Sequence, residues 1–222
     1  MRGKELTAKG KATRRRIVEG AAEVLREQGV GSVTLDDVMA RTRTSKSQLF
    51  HYFPDGKDEL LLAVARFEAE QVLEDQQPYL GRLESWEDWE RWRDVVIARY
   101  EAQGDTCPLG SLFLQVGRST PGARAIVVEL MRQWQESLAA GIRAVRANCA
   151  PGADVDVDAR AAALLAAIQG GVSILLSTGR STHLRAALDQ GIADLRRDLE
   201  PAGAAGTGPR RSMKILGSGP AA

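Results

Sequence analysis

Apolar residues recur every three or four positions along nearly the whole 222-residue chain, and no segment alternates convincingly between apolar and polar. That spacing keeps side chains on one face of a helix, whereas a half-buried strand needs a spacing of two. The expected fold class is therefore all-α. After a basic arm ending "KATRRR", Ile17, Ala21, Val24, Leu25 and Gln28 mark one face of a first helix, which Gly29 and Gly31 stop. Thr34 opens a short second helix, "TLDDVMAR", with Asp37 three residues on in the manner of a capping box. A third helix opens at Ser45, where Ser45 and Gln48 fit the same device, and Pro54 with Gly56 ends it. Leu49, Phe50 and Phe53 give it a buried edge. Three short helices, the last two joined by a tight turn, make a helix-turn-helix.

Beyond residue 57 the same period runs through longer helices. Residues 58–79 carry Leu61, Val64, Ala65, Glu68 and Val72 on one stripe, and residues 86–102 carry Trp89, Trp92, Val96 and Tyr100. "TCPLGSLFLQVG" reads as a loop and a short helix, and Pro121 begins a long helix with Val127, Leu130, Trp134, Leu138, Ile142 and Val145 facing one way. "NCAPGADVDVD" reads as a loop with an acidic helix entry. "ARAAALLAAIQGGVSILLSTG" is apolar nearly all round, and a last amphipathic helix spans about residues 183–199. The expected division is an arm and helix-turn-helix domain over 1–57, a helical domain over 58–200, and a Gly/Pro/Ala-rich disordered tail over 201–222.

The net charge of +1 hides an asymmetry. Residues 1–57 contain 12 Lys/Arg against 7 Asp/Glu, and the remainder 18 against 22. A basic N-terminal quarter on an acidic remainder suits a protein that meets a polyanion at one end. No apolar run approaches the roughly 18 residues of a membrane span, so a soluble, cytoplasmic protein is expected. Two cysteines, Cys107 and Cys149, make no disulfide framework and read as reduced thiols. With only His51 and His183 there is no metal-ligand spacing, and no Gly-rich phosphate loop follows a strand. No catalytic residue, metal or cofactor is expected, and an enzyme is disfavoured.

On the third helix at 100° per residue, Leu49, Phe50 and Phe53 cluster within about 100°, while Ser47, Gln48, His51 and Tyr52 spread over the other side. Gln pairs with adenine, Lys with guanine or phosphate, and Ser, Tyr and His with phosphate or base edges. "VTLDDVMARTRTSKSQLFHYFPDGKDELLLAV" resembles the DNA-binding region of TetR-family transcriptional repressors: a Thr-led helix, a turn, Ser-x-x-x-Leu-Tyr-x-Tyr-Phe, then a Lys opening a fourth helix. The resemblance covers about residues 13–65. Two departures stand out. Arg43 and Thr44 occupy the turn where relatives usually have Gly and Val, so Arg43 should strain or widen it and Thr44 puts a hydroxyl where an apolar plug is usual. "FPDGK" is one residue longer than the common form. That linker, "CPLGSL" at 107–112 and the Gln-Gly-Gly at 169–171 resemble the LmrA/YxaF-like branch of the family.

The resemblance implies a ligand-responsive regulator, most commonly a repressor, that binds a pseudo-palindromic operator as a homodimer. It implies that Lys46, Ser47, Gln48 and His51 face bases, that Thr34, Tyr52, Lys57 and Ser45 hold phosphates, and that Arg43 and Thr44 in the turn join the DNA-contacting set. Phe50 stands where the family often has Tyr. The last two helices would form the dimer surface through Leu164, Leu165, Ile168, Gly171, Leu175, Leu188 and Ile192, with Gly170 and Gly171 allowing close helix approach. A small apolar or aromatic effector would lie among the middle helices, against Phe67, Trp89, Trp92, Tyr100, Cys107, Leu112, Phe113, Gln115, Met131, Trp134 and Gln169. A thiol-based redox switch at Cys107 or Cys149 is the alternative means of control.

Overall fold

The computed structural model describes residues 6–29, 31–104, 120–148 and 155–200, and among these it contains eight α-helices and no strand. The helices are α1 (Ala8–Gln28), α2 (Leu35–Thr42), α3 (Lys46–Tyr52), α4 (Lys57–Glu74), α5 (Trp86–Gln103), α6 (Pro121–Ala147), α7 (Val157–Thr178) and α8 (Thr182–Leu199), with a 3-10 turn at Leu80–Arg82 before α5. The loop and short helix expected over "TCPLGSLFLQVG", most of "NCAPGADVDVD", and the tail after residue 200 lie outside the described residues.

Local chemistry sets most helix ends. Thr7, Ser85, Thr120 and Asp156 each accept a backbone N–H from the first turn of α1, α5, α6 and α7. Ser85 and Asp88 form a complete capping box, and Pro121 sits at the first position of α6. The helix expected over 58–79 stops at Glu74, and its remainder turns toward the 3-10 segment. Gln28, placed on the inner face by periodicity, is exposed because α1 ends there.

The buried apolar side chains form one continuous core running from Ile17, Val38, Leu49 and Phe53 to Leu184, Leu188 and Leu199. Its largest members, Trp89, Trp92 and Trp134, are fully buried, and Trp89 meets Trp92 edge-on with centroids 5.6 Å apart. Helix α7 is long and apolar enough, by length and composition, to span a bilayer, a feature missed by searching for unbroken apolar runs. In the structure its apolar stripe packs against α6 and α8.

That packing corrects the expected dimer surface. Leu164, Leu165, Ile168, Gly171, Leu175, Leu188 and Ile192 are all buried within the chain, because α8 folds back along α7 and covers them. The approach is close: a Cβ on Gly171 would lie 2.6 Å from the Cα of Leu184, and one on Gly191 2.6 Å from a Leu164 methyl. Gly170 has open space instead. The outward face of α7 is a different stripe, with Ala163, Ala166, Gly170, Ser173, Ile174 and Ser177 exposed.

Candidate functional site

Helix α3 is held from behind. Leu49 and Phe53 are fully buried, and the Arg14 guanidinium of α1 stacks over the Phe53 ring at 4.9 Å. Phe50, expected on the same buried edge, is 38% exposed, its ring lying against the Gly56 turn, so Leu49 and Phe53 alone are the anchor. Ser45 accepts the Gln48 backbone N–H at 3.2 Å, but no return bond from the Gln48 side chain is made, so the expected capping box is half formed. Thr34 and Asp37 complete theirs: the Asp37 carboxylate accepts the Thr34 hydroxyl at 2.6 Å and its N–H at 2.9 Å. The hydroxyl, then the N–H, hold the Asp37 pKa below the usual carboxylate range.

The turn between α2 and α3 explains its two unusual residues. Arg43 has φ 50° and ψ 47°, the left-handed conformation, and is the single non-glycine residue with positive φ among those described. That conformation lets the Thr44 N–H return to the Met39 carbonyl at 3.0 Å, closing α2 as a Schellman motif. Thr44 is buried, which corrects its place in the DNA-contacting set. Its hydroxyl lies 2.8 Å from that of Thr42 and donates to the Thr42 carbonyl at 3.3 Å, while Thr42 donates to Val38 at 2.7 Å. The hydroxyl is thus satisfied inside the turn and has no route to a ligand.

Helices α1 and α2 clamp this turn. Arg16 donates to the Thr42 carbonyl, and Gly20 admits the Thr42 methyl so closely that a Cβ there would lie 2.3 Å from it. Arg41 binds Glu27 at 2.5 Å and Glu23 at 3.2 Å, which holds the Glu27 pKa down. Neither Arg16 nor Gly20 was singled out from sequence, because their roles depend on a neighbour over twenty positions away.

The result is a short helix with one face rooted and the other free. Lys46, Ser47 and His51 are exposed together with Thr34, Arg43 and Ser45, and Gln48 and Tyr52 are half-buried. His51 and Tyr52 meet edge-on at 4.9 Å. Lys57 opens α4 on the same side, its ammonium donating to the Val33 carbonyl at 2.6 Å. Cations, hydroxyls, an amide and an imidazole are brought together at the end of the chain that carries the positive charge.

The expected effector residues are distributed differently. Trp89, Trp92 and Trp134 are core, with Tyr100 nearly so, and none of the four borders a described cleft. Trp92 donates to Gln76 at 3.1 Å, while the buried indole N–H groups of Trp89 and Trp134 and the Gln169 amide N–H have no partner among the described residues. Met131 packs on the core, and Phe67 borders clefts flanking α1. Cys107, Leu112, Phe113, Gln115 and Cys149 lie outside the described residues. A cleft of about 800 Å³ opens instead between α4 and α6. Ala69, Leu73, Ala125, Ile126 and Leu130 make its floor, and Arg66, Glu70, Glu74 and Glu129 its rim. Arg132 and Gln133 bind Glu129 and lower its pKa to about 2.

Comparisons with known proteins match this layout. The family model for bacterial regulatory proteins of the tetR family matches residues 17–64, and that for the tetracyclin repressor-like C-terminal domain matches residues 84–201. The HTH-type transcriptional regulator TtgW of Pseudomonas putida is 34% identical over 99 residues, covering 45% of this chain and 69% of that protein. The regulator SrpR of the same species is 33% identical over 99 residues, 45% of this chain and 43% of its own length. The transcriptional regulator AcuR of Cereibacter sphaeroides is 26% identical over 163 residues, 70% and 73% of the two chains. Among solved structures, a TetR regulator from Chloroflexus aurantiacus superposes with a TM-score of 0.71 at 23% identity, covering 86% of this chain and 98% of that one. Reduced NemR of E. coli superposes with a TM-score of 0.66 at 16% identity, over 81% and 95%. At those identities the structures establish the fold: an N-terminal helix-turn-helix domain and a C-terminal helical domain. Both family models match, the second over more than half of the chain, and the protein belongs to the TetR family of helix-turn-helix transcriptional regulators.

Proposed function

We propose that the protein is a repressor that binds a pseudo-palindromic operator as a homodimer and is released by a small apolar or aromatic effector. The observation that carries the DNA-binding reading is α3 itself. Leu49 and Phe53 root it in the core while Lys46, Ser47 and His51 stand exposed on the other side, with Gln48 half-buried. In this reading α3 enters the major groove, Lys46, Ser47, Gln48 and His51 meet base edges, and Thr34, Arg43, Ser45, Tyr52 and Lys57 position the backbone. Residues 1–57 form the DNA-binding unit and 58–200 the effector-binding and dimerisation unit.

One α3 of seven residues reads too few bases for tight specificity, so two copies must act together. The outward stripe of α7, with its small residues around the exposed Ile174, and the exposed Ala186, Gln190 and Ala193 of α8 are the faces we assign to the dimer. Small side chains let helices from two subunits approach closely. The apolar floor between α4 and α6 is the site we assign to the effector. α4 runs from Lys57 beside α3 to Glu74 on the cleft rim, so a ligand that prefers a shifted α4 disfavours the DNA-bound spacing.

The test is footprinting of the purified protein on its own upstream region, followed by titration of the complex with an aromatic compound library. Protection of a two-fold site is expected, with affinity falling steeply as salt rises from about 50 to 200 mM. Duplex binding that is absent or indifferent to salt refutes the DNA-binding reading. A complex that no compound dissociates refutes the effector assignment.

A further inference from the structure

Glu68 is the one charged side chain among the described residues that is fully buried. It lies on the inner stripe of α4 with Leu61, Val64, Ala65 and Val72, and one of its oxygens is 2.5 Å from the Arg26 guanidinium in the last turn of α1. Arg26 is itself largely covered, and the second Glu68 oxygen is buried with no partner among the described residues. Such a pair is a poor device for stability. Desolvation of two charges offsets their attraction, and apolar side chains of similar volume usually serve as well or better.

Its place in the fold suggests another use. α1 carries the helix-turn-helix: Gly20 and Arg16 grip α2 at Thr42, and Arg41 reaches back to Glu23 and Glu27. On α4, Glu68 lies about 140–160° round the axis from Arg66, Glu70 and Leu73, which border the cleft with α6. One face of α4 therefore borders the cleft while the opposite face holds α1 through a directional contact. Apolar contacts tolerate sliding, whereas a single charge-assisted hydrogen bond fixes distance and angle.

We propose that Arg26 and Glu68 are a positioning pair that fixes the angle of the helix-turn-helix on α4, and through it the separation of the two α3 helices on DNA. The inference rests on the reading of α3 as the DNA-contacting helix of a dimer. Glu68 has this one hydrogen-bond partner among the described residues. The other directional bond from α4 to this region, Lys57 to the Val33 carbonyl, lies about three turns away at the start of the helix, so a turn of α4 that breaks the Arg26 bond frees the far end of α1 from its fixed angle. The pair thus ties the cleft face of α4 to the spacing of the DNA-reading elements.

The test uses full-length protein and duplexes carrying two half-sites selected in vitro by the wild type, with the spacing set at the optimum or changed by one or two base pairs. Glu68→Gln keeps the side-chain volume and an acceptor for Arg26. Arg26→Met combined with Glu68→Leu replaces the pair by apolar packing and preserves the fold if the single variant is weakened. Both are expected to bind the optimal duplex at least about fivefold more weakly, with the preference for optimal spacing flattened and single half-site affinity unchanged. Restoring the acidic group as Glu68→Asp should recover part of the spacing preference. A wild-type spacing profile in both variants, whatever their melting temperatures, makes the pair structural and overturns the proposal. A wild type that binds duplex without any spacing preference overturns it one step earlier, by removing the dimer reading on which it stands.

Discussion

Replacing Arg43 by glycine should stabilise the protein and weaken its hold on DNA in the same step. Arg43 sits at φ 50°, ψ 47°, where a Cβ crowds the following carbonyl at a cost of roughly 1–2 kcal/mol. Glycine removes that cost but gives up about 0.5–1 kcal/mol through its freer unfolded chain. The net gain is about 0.5–1 kcal/mol, and for a chain of this size about 1–4 °C in Tm. The bonds that close the turn, Thr44 N–H to Met39 and Arg43 N–H to Ala40, belong to the backbone and survive the change. Coupling the change to Thr44→Val, the pairing suggested by the family's usual turn, would blur the result, because the bonded Thr44 hydroxyl is worth about 1 kcal/mol. If Arg43 neutralises one phosphate per subunit, its loss also reduces the log–log salt slope of operator binding by about 0.9 per subunit. Thermal melts at one fixed protein concentration measure the first effect, since dimer stability depends on concentration, and anisotropy titrations across salt measure the second. A Tm that stays level or falls refutes the strain argument, and an unchanged slope removes Arg43 from the phosphate contacts.

Three further outcomes are expected. Gly20→Ala drives a methyl into the Thr42 methyl and should cost about 1–3 kcal/mol, and Thr42→Ser, which deletes that methyl and keeps the hydroxyl, should restore most of it; denaturant melts of the single and double variants decide. Gly171→Ala meets the Leu184 backbone and should destabilise the chain, whereas Gly170→Ala faces open space and should gain up to about 1 kcal/mol in the monomer while weakening dimerisation, read by melts and sedimentation. Burial, outweighing Arg26, raises the Glu68 pKa, so its contribution to stability is present below the unfolded carboxylate pKa and is lost as pH rises through the folded one. Glu68→Gln should therefore flatten the fall in stability on the alkaline side of about pH 4.5, and an unchanged pH profile would show that Glu68 is ionised without penalty.

The fold was legible because helices announce themselves locally. Periodicity located all eight described helices, and capping chemistry at Thr34, Ser45 and Pro121 fixed where three of them begin. What local pattern leaves open has one physical cause: it depends on which element packs against which. For Leu164, Leu165, Ile168 and Leu188, apolar surplus says that a face is covered, not by which chain, and in the structure the same chain covers them. The answer lay in Gly171 and Gly191, whose close contacts bring α8 of the same chain onto α7. Phe50 failed in the same way, since an angle on a seven-residue helix cannot separate the edge of a core from its rim.

The site divides along the same line. The exposure of Lys46, Ser47 and His51 could be read from sequence because a single helix, with its own anchor residues, decides which way they point; which bases they meet is left to the footprint. The turn could be read in part. Arg43, standing where glycine is usual, is expected to strain or widen the turn, and it keeps the left-handed conformation, but Thr44, whose hydroxyl takes the place of an apolar plug, is intelligible only beside Thr42. The tryptophans were drawn toward a pocket by composition, yet an aromatic stripe is equally what a helix needs to fill a core, and three of the four Trp do that. Glu68 shows the limit most clearly. Its position on an apolar stripe was visible in the sequence, and a buried carboxylate requires a partner, but nothing local names Arg26, forty-two residues earlier. Where a helix meets another across the fold, sequence shows that a partner is required and only the structure shows which one. For this protein one such pairing, Arg26 with Glu68, joins α1, which packs on the helix-turn-helix, to α4, the helix that borders the cleft.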